Sequence, residues 1–197
     1  MKRILLVAIF SGLLTPAVYA AEKTAIFAGG CFWCIEKDFE HVPGVKDVVS
    51  GYTGGSLKNP TYRNHEGHRE AVKITYDDTK VSYDQLLDTF WRTVDPTDGG
   101  GQFCDRGYAY STAVYALDGD QLSVAQVSKK AAGKALGQEI ATEIAMASFW
   151  TDSEDYHQDY YRKNPIRYKY YRYRCGRNQR VEALWGDQAY QGVNHGS

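Results

Sequence analysis

The chain lacks an excess of charge of either sign. Its 197 residues carry 23 Lys and Arg against 24 Asp and Glu, a formal net charge of −1, which excludes a general affinity for nucleic acid or acidic membranes. It also lacks an apolar run that would cross a bilayer, which takes ~20 residues. The long apolar stretch from Ile4 to Leu14 is cut short by Ser11, Gly12, Thr15 and Pro16. With Lys2 and Arg3 before it and Val18-Tyr19-Ala20 after it, residues 1–20 read as a secretory signal peptide, to be removed after Ala20. Cleavage would take away Lys2 and Arg3 and leave 21 basic against 24 acidic residues, a net charge of −3. No cysteine follows the segment to carry a lipid, so no stable membrane association is expected after signal removal.

Cysteine is scarce as well: Cys31, Cys34, Cys104 and Cys175, of which only the first two are neighbours. A second close pair is missing, so a zinc or interaction module built from these thiols with His65 and His68 is a weak reading, and no metal is expected. In an exported chain an even number of cysteines suggests disulfides, and four allow three full pairings among which sequence does not choose. What is present is apolar enough, at 43% hydrophobic residues against 24% charged, for residues 21–197 to form a single domain with a sizeable core.

One stretch organises that domain. Residues 24–28 are an apolar run that ends at Gly29-Gly30, and Ile35, Phe39 and Val42 then recur at helical spacing. The pattern predicts strand, tight turn and helix, with Cys31 in the first turn of the helix. The free N–H groups and the dipole there favour a thiolate over a thiol, which makes Cys31 a candidate nucleophile rather than a buried structural thiol. The glycines permit positive φ and close approach of a ligand to the main chain. Phe32 and Trp33 follow a polar-tolerant turn and suit the wall of a pocket.

A second clue lies in residues 69–76. Strand periodicity puts Glu70 on one face with Val72, Ile74 and Tyr76. A carboxyl aimed at an apolar interior has a raised pKa and serves as a general acid near neutral pH. A strand that starts later would leave Glu70 at a wet edge, and the residues alone leave both open.

The remaining elements follow the same logic. Residues 45–52 and 111–117 read as strands, 120–136 as a helix and 142–148 as a strand. Residues 82–94 form a helix opened by a Ser82/Gln85 capping box, with a core-facing stripe of Leu86, Leu87, Phe90 and Trp91. Few connections are simple crossovers, which argues for an α+β fold with a mixed sheet. Residues 156–180 interleave tyrosines with basic residues, read as a segment that wraps the domain rather than a stacking surface for nucleic acid.

The Gly30-Cys31-Phe32-Trp33-Cys34 run resembles the active-site signature of the A-type peptide methionine sulfoxide reductases, specific for the S epimer. Gly67-His68-Arg69-Glu70, Asn59-Pro60-Thr61-Tyr62 and Asp155-Tyr156-His157-Gln158-Asp159-Tyr160 extend the likeness across most of the chain, from about 24 to 186. The resemblance implies a ferredoxin-like two-layer sandwich with long loops. It implies Cys31 as the nucleophile that attacks the sulfoxide sulfur and Glu70 as the acid that protonates its oxygen. Tyr62, Asp105 and Tyr110 carry over as substrate-site residues, with Phe32 and Trp33 against the methyl group and His157 structural. The family usually has an arginine between the tyrosine and serine of its Asp-x-Gly-x-x-Tyr-Arg-Ser run; here Ser111 follows Tyr110 directly, which leaves the role of Arg106 open.

Sulfoxide reduction leaves a sulfenic acid on Cys31, and a second thiol must condense with it. Cys34 and Cys175 are the resolving candidates, ranked together, with Cys104 behind. No bound cofactor is expected; a thioredoxin-like donor would reduce the resulting disulfide. The expected substrates are oxidised proteins and free methionine sulfoxide, acted on by a monomer exported to the periplasm. The alternative is a thioredoxin-type thiol-disulfide exchanger, which shares a C-x-x-C at a helix start. That fold also needs a cis-proline facing the pair, and Pro60 and Pro165, each after an Asn in a polar loop, are poor candidates for it.

Overall fold

A computed structural model describes residues 22–194; the signal peptide expected at 1–20 lies outside the described residues. The chain runs β1 (Glu22–Ala28), α1 (Phe32–Glu40), β2 (Val45–Thr53), β3 (Arg69–Asp77), α2 (Tyr83–Trp91), β4 (Gly101–Gln102), β5 (Asp105–Arg106), β6 (Ala113–Ala116), α3 (Gly119–Leu136), β7 (Glu143–Met146), β8 (Trp150–Asp152), α4 (Tyr160–Lys163), α5 (Pro165–Arg174) and α6 (Arg177–Trp185). Six strands form one sheet in the order β7-β6-β1-β3-β2-β8, and β4 and β5 pair as a small hairpin. The pairs within the large sheet are antiparallel except β6 with β7, so the architecture is α+β with a mixed sheet, as the sequence predicts.

Strand periodicity divides the sheet into two faces. Phe27, Val72 and Ile74 point into the main core, where they meet Ile35 and Phe39 of α1 and Leu86, Leu87 and Phe90 of α2. Each fully buried side chain of this kind contributes ~1.5–3 kcal/mol. Ile26, Ala28, Ala71, Ala113 and Tyr115 point the other way, under a thinner cover of Ala145, Ala147 and Trp150. Glu70 falls on the main-core face with Val72 and is 2% exposed, the interior of the two placements left open above.

Several boundaries shift for identifiable reasons. Helix α2 stops at Trp91, short of Val94, because Arg92 and Thr93 donate three residues back to Thr89 and Phe90, and the Thr93 hydroxyl bonds Phe90 at 2.9 Å. The strand expected over 111–117 is β6 alone, since Tyr108–Tyr110 form a short 3-10 turn first. Strand β8 has three residues, too few for a period in sequence; it is held by pairing with Gly51, Tyr52 and Thr53 of β2. Among the described residues no helix is long and apolar enough to cross a membrane.

The Tyr- and Arg-rich tail does wrap the domain, through α4, α5 and α6. Two of its cations turn inward. Arg172 pairs with the buried Asp38 of α1 at 2.9 Å, and Arg177 donates to the carbonyls of Gly29 at 3.2 Å and Thr93 at 2.9 Å. The tail thereby clamps the turn between β1 and α1.

Candidate active site

Gly29 and Gly30 build that turn for different reasons. Gly30 has φ of 84°, and a Cβ there would lie 2.6 Å from Cβ of Gln102. Gly29 is instead a packing glycine: a Cβ would lie 2.4 Å from Cδ1 of Ile35. Cys31 follows as the N-terminal flanking residue of α1, buried, with its carbonyl accepting from the amide of Cys34 at 3.1 Å.

Glu70 comes to the same helix start from β3. Its Oε2 accepts the Phe32 amide at 3.0 Å. That bond favours the carboxylate, but burial dominates and pushes the Glu70 carboxyl up to about 8, so it holds its proton at neutral pH. Cys31, Phe32, Trp33, Tyr62, Glu70, Asp105 and Tyr110 together line one cavity of about 50 Å3. Seven side chains chosen from four separate stretches of sequence thus line one cavity. Tyr62, at 39% exposed, stands at the mouth, and Phe32 both walls the cavity and belongs to the main core.

The two thiols differ electrostatically. Burial pushes Cys31 well above the usual thiol range, helped by its hydrogen bond with Cys34. That hydrogen bond pulls Cys34 down to about 6 against its own burial, with the guanidinium groups of Arg177 and Arg172 adding to the effect. The helix start therefore does not by itself make Cys31 a resting thiolate, as its position in sequence suggests. Desolvation opposes the N-terminal dipole at Cys31, and the contact between the two sulfurs shifts them in opposite directions, Cys31 up and Cys34 down.

Residues 23–189 match the family model described as peptide methionine sulfoxide reductase. The chain belongs to this family. It is similar to the peptide methionine sulfoxide reductase MsrA 2 of Rhizobium meliloti, 54% identical over 93% of each chain. Among solved structures it is similar to methionine sulfoxide reductase A of Corynebacterium diphtheriae, 31% identical, with a TM-score of 0.69 over 79% of this chain and 81% of that one. It is also similar to reduced Mxr1 of Saccharomyces cerevisiae, 26% identical, with a TM-score of 0.67 over 73% of this chain and 86% of that one. The protein is an oxidoreductase that reduces methionine sulfoxide.

Within this reductase, Cys104 and Cys175 form a disulfide with Cα atoms 4.9 Å apart, while Cys31 and Cys34 are free and buried. Cys104, ranked behind Cys34 and Cys175 from sequence, turns out to be bonded to Cys175, because the β4–β5 hairpin carries it against the C-terminal end of α5. Cys34 is the free thiol beside Cys31. Sequence reasoning missed Tyr171, the eighth lining residue. Its hydroxyl lies within hydrogen-bond reach of both the Asp105 carboxylate and the Cys31 sulfur. Burial raises the Asp105 carboxyl, and the bond from Tyr171 opposes that rise. The signal for Tyr171 was its place one turn before Cys175 in α5, invisible among the tail's other tyrosines until the helix face is known.

The outer wall is aromatic. Trp33 stacks on Tyr160 at 3.7 Å between centroids, and its Nε1 donates to Nδ1 of His157 at 3.0 Å, a structural part for that histidine. Arg106 turns away to Asp98. His68 engages one ring nitrogen with the Gly55 amide and the other with the Leu57 carbonyl, and His65 bonds the Thr61 carbonyl, so neither imidazole converges with the thiols on a common point.

Proposed function

We propose that Cys31 attacks the sulfur of a methionine S-sulfoxide while Glu70 gives its proton to the oxygen. What supports this reading is that a buried, uncharged carboxyl and a thiol face one cavity at the same helix start. A sulfoxide sulfur accepts a nucleophile only as its oxygen gains a proton. The proton of Cys31 leaves along its hydrogen bond to the low-pKa Cys34, and Tyr62 and Tyr110 donate to the oxygen. Tyr171 carries one proton; it donates to Asp105 at rest and is the donor at hand as charge builds on Cys31. Trp33 and Phe32 hold the methyl group, where sulfur–aromatic contacts contribute roughly 0.3–1.5 kcal/mol. The protonated oxygen then passes as hydroxyl from the substrate sulfur to Sγ of Cys31. The S–O bond and the transient S–S bond both break, and methionine departs to leave Cys31 as a sulfenic acid.

Cys34 then attacks that sulfenic sulfur, water leaves and a Cys31–Cys34 disulfide remains. The two electrons taken by the substrate are those of two thiols. A thioredoxin-like protein returns them by disulfide exchange; Mxr1 has been solved in complex with Trx2. The order βαββαβ formed by β1, α1, β2, β3, α2 and β6 supports reading the core as ferredoxin-like, with the tail as an addition. The remaining readings are proposals too: export to the periplasm after loss of residues 1–20, a single catalytic domain over 21–197, and action as a monomer on oxidised proteins and free methionine sulfoxide. A disulfide outside the reacting pair fits an oxidising compartment.

The test incubates single Cys→Ser variants and Glu70→Gln with the S and R sulfoxides of a blocked methionine, with and without reductant. Cys31→Ser is expected to yield no methionine, and Cys34→Ser about one equivalent per enzyme. The double variant Cys104→Ser/Cys175→Ser should turn over repeatedly. Multiple turnover by Cys31→Ser would overturn the mechanism, and preference for the R epimer would overturn the stereochemical assignment.

A further inference from the structure

The cavity at Cys31 has room for one side chain, whereas an oxidised protein presents that side chain within a polypeptide. A second recess lies further along α1. It is a groove of about 370 Å3 lined by Glu36, Glu40, Asp47, Asp152, Asp155 and Asp159 against two cations, Lys46 and Arg162. The two recesses have no lining residue in common, but α1 contributes to both. On α1, Trp33 lines the cavity, and Glu36 and Glu40, three and seven residues further on, follow on the same helix face and line the groove. In the segment 157–160, the rings of His157 and Tyr160 pack on Trp33 while Gln158 and Asp159 line the groove. Three to seven helical residues span ~5–10 Å at 1.5 Å each, the reach of about two or three residues of extended chain.

Acidic character alone would prove little, and three further observations point to a ligand. Arg162 meets both Glu40 and Asp159 at 2.9 Å and Lys73 meets Asp152 at 3.2 Å, but the carboxylates of Asp47 and Asp155 have no ion pair or hydrogen bond among the described residues. Glu36 is 1% exposed; its Oε1 accepts the Asp159 amide at 3.1 Å, and its Oε2 is buried without a partner. Burial pushes the Glu36 carboxyl up to about 8, and its unpartnered oxygen is a standing cost that a polar ligand group would relieve. Finally, β8 pairs with β2 only at residues 51–53, so the groove-lining residues 45–49 are an unpaired strand edge among the described residues. Such an edge accepts an extended peptide as an added strand.

We propose that this groove is the extended subsite of the reductase, which takes the substrate chain along the β2 edge and selects a lysine or arginine two or three residues from the oxidised methionine. The cation pairs with Asp47 and Asp155, whereas an acidic side chain at that position meets two unpaired carboxylates of its own sign. The proposal rests on the reading of the Cys31 cavity as the sulfoxide site.

The test measures kcat/KM for two blocked heptapeptides, each with one central methionine S-sulfoxide, flanked at the third position on both sides by lysine in one and glutamate in the other. A blocked single methionine sulfoxide serves as reference. The lysine peptide should be favoured about three- to tenfold at low ionic strength, the ratio that one or two exposed ion pairs support, and the preference should fade in ~1 M salt. In Asp47→Lys/Asp155→Lys the preference should vanish or invert while the blocked amino acid turns over at the wild-type rate. Equal use of the two peptides by the wild-type enzyme, or a preference untouched by the double substitution, would overturn the groove. Failure of the wild-type enzyme to reduce the blocked amino acid would instead overturn the assignment of the cavity.

Discussion

Glu70 shows how one residue ties chemistry to stability. Its carboxyl, pushed up to about 8 by burial, donates a proton below that pH and is ionised above it. The rate of sulfoxide reduction should therefore fall as pH rises through about 8, and a kcat-versus-pH profile checks this. Glu70→Gln should lose roughly 10²–10⁴ in kcat, the range for a general acid, and should also lose that limb of the profile. The same shift affects folding. The folded value lies above the unfolded one of 4.5, so the stability linked to this proton is fully present below about 4.5 and is lost as pH rises toward 8. Glu70→Gln removes that loss. In urea it should be more stable than the wild type at pH 9, by a few kcal/mol at about 1.4 per pH unit, and the difference should disappear at pH 4.

At the scale of the element, α5 does most to complete the site. Tyr168, Tyr171, Arg172 and Cys175 recur at spacings of three and four and so share one face. That face places a guanidinium on Asp38, a phenol beside Cys31 and a sulfur against the β4–β5 hairpin. Arg172→Ala would leave the buried Asp38 carboxylate with only the longer 4.0 Å pair to Lys37 and should cost up to about 3–5 kcal/mol, read as a lowered urea midpoint. Tyr171→Phe removes a donor from Cys31, so its thiol should titrate still higher. The pH dependence of alkylation, measured in a Cys34→Ser background, checks that. Of this helix the sequence showed only a dense alternation of tyrosine and arginine. An inward Arg172 and an outward Tyr173 are the same kind of letter until Asp38 provides a buried partner for one of them.

At the scale of the molecule, the Cys104–Cys175 disulfide closes a loop across a separation of 71 residues. It ties Asp105, next to one sulfur, to the helix that carries Tyr171. In the chain-entropy account a loop of that length stabilises by about 4 kcal/mol. Cys104→Ser/Cys175→Ser should unfold at correspondingly lower denaturant while keeping multiple turnover. Thiol titration of the denatured, unreduced protein should count two thiols, those of Cys31 and Cys34, and four after reduction. Strands β1 and β3 were legible in sequence, because β1 is an apolar run that Gly29-Gly30 stops and β3 places Glu70, Val72, Ile74 and Tyr76 in alternation. The three-residue β8 and the β4–β5 hairpin were not, since pairing with distant strands rather than local periodicity holds them.

The sequence by itself determined the chemistry on offer: a thiol at a helix start, a carboxyl on the apolar face of a strand, and the motifs that bring tyrosines and an aspartate near them. Periodicity and turn residues are local properties: they place Cys31 at a helix start and put Glu70 in line with Val72, Ile74 and Tyr76, and burial in the folded core settles that Glu70 lies inside rather than at a wet edge. Only the tertiary structure decided which cysteines pair, how strongly burial holds the Cys31 thiol up and which tail tyrosine enters the site. Those outcomes depend on desolvation and on distances between segments far apart in the chain, and neither quantity exists until the core has closed.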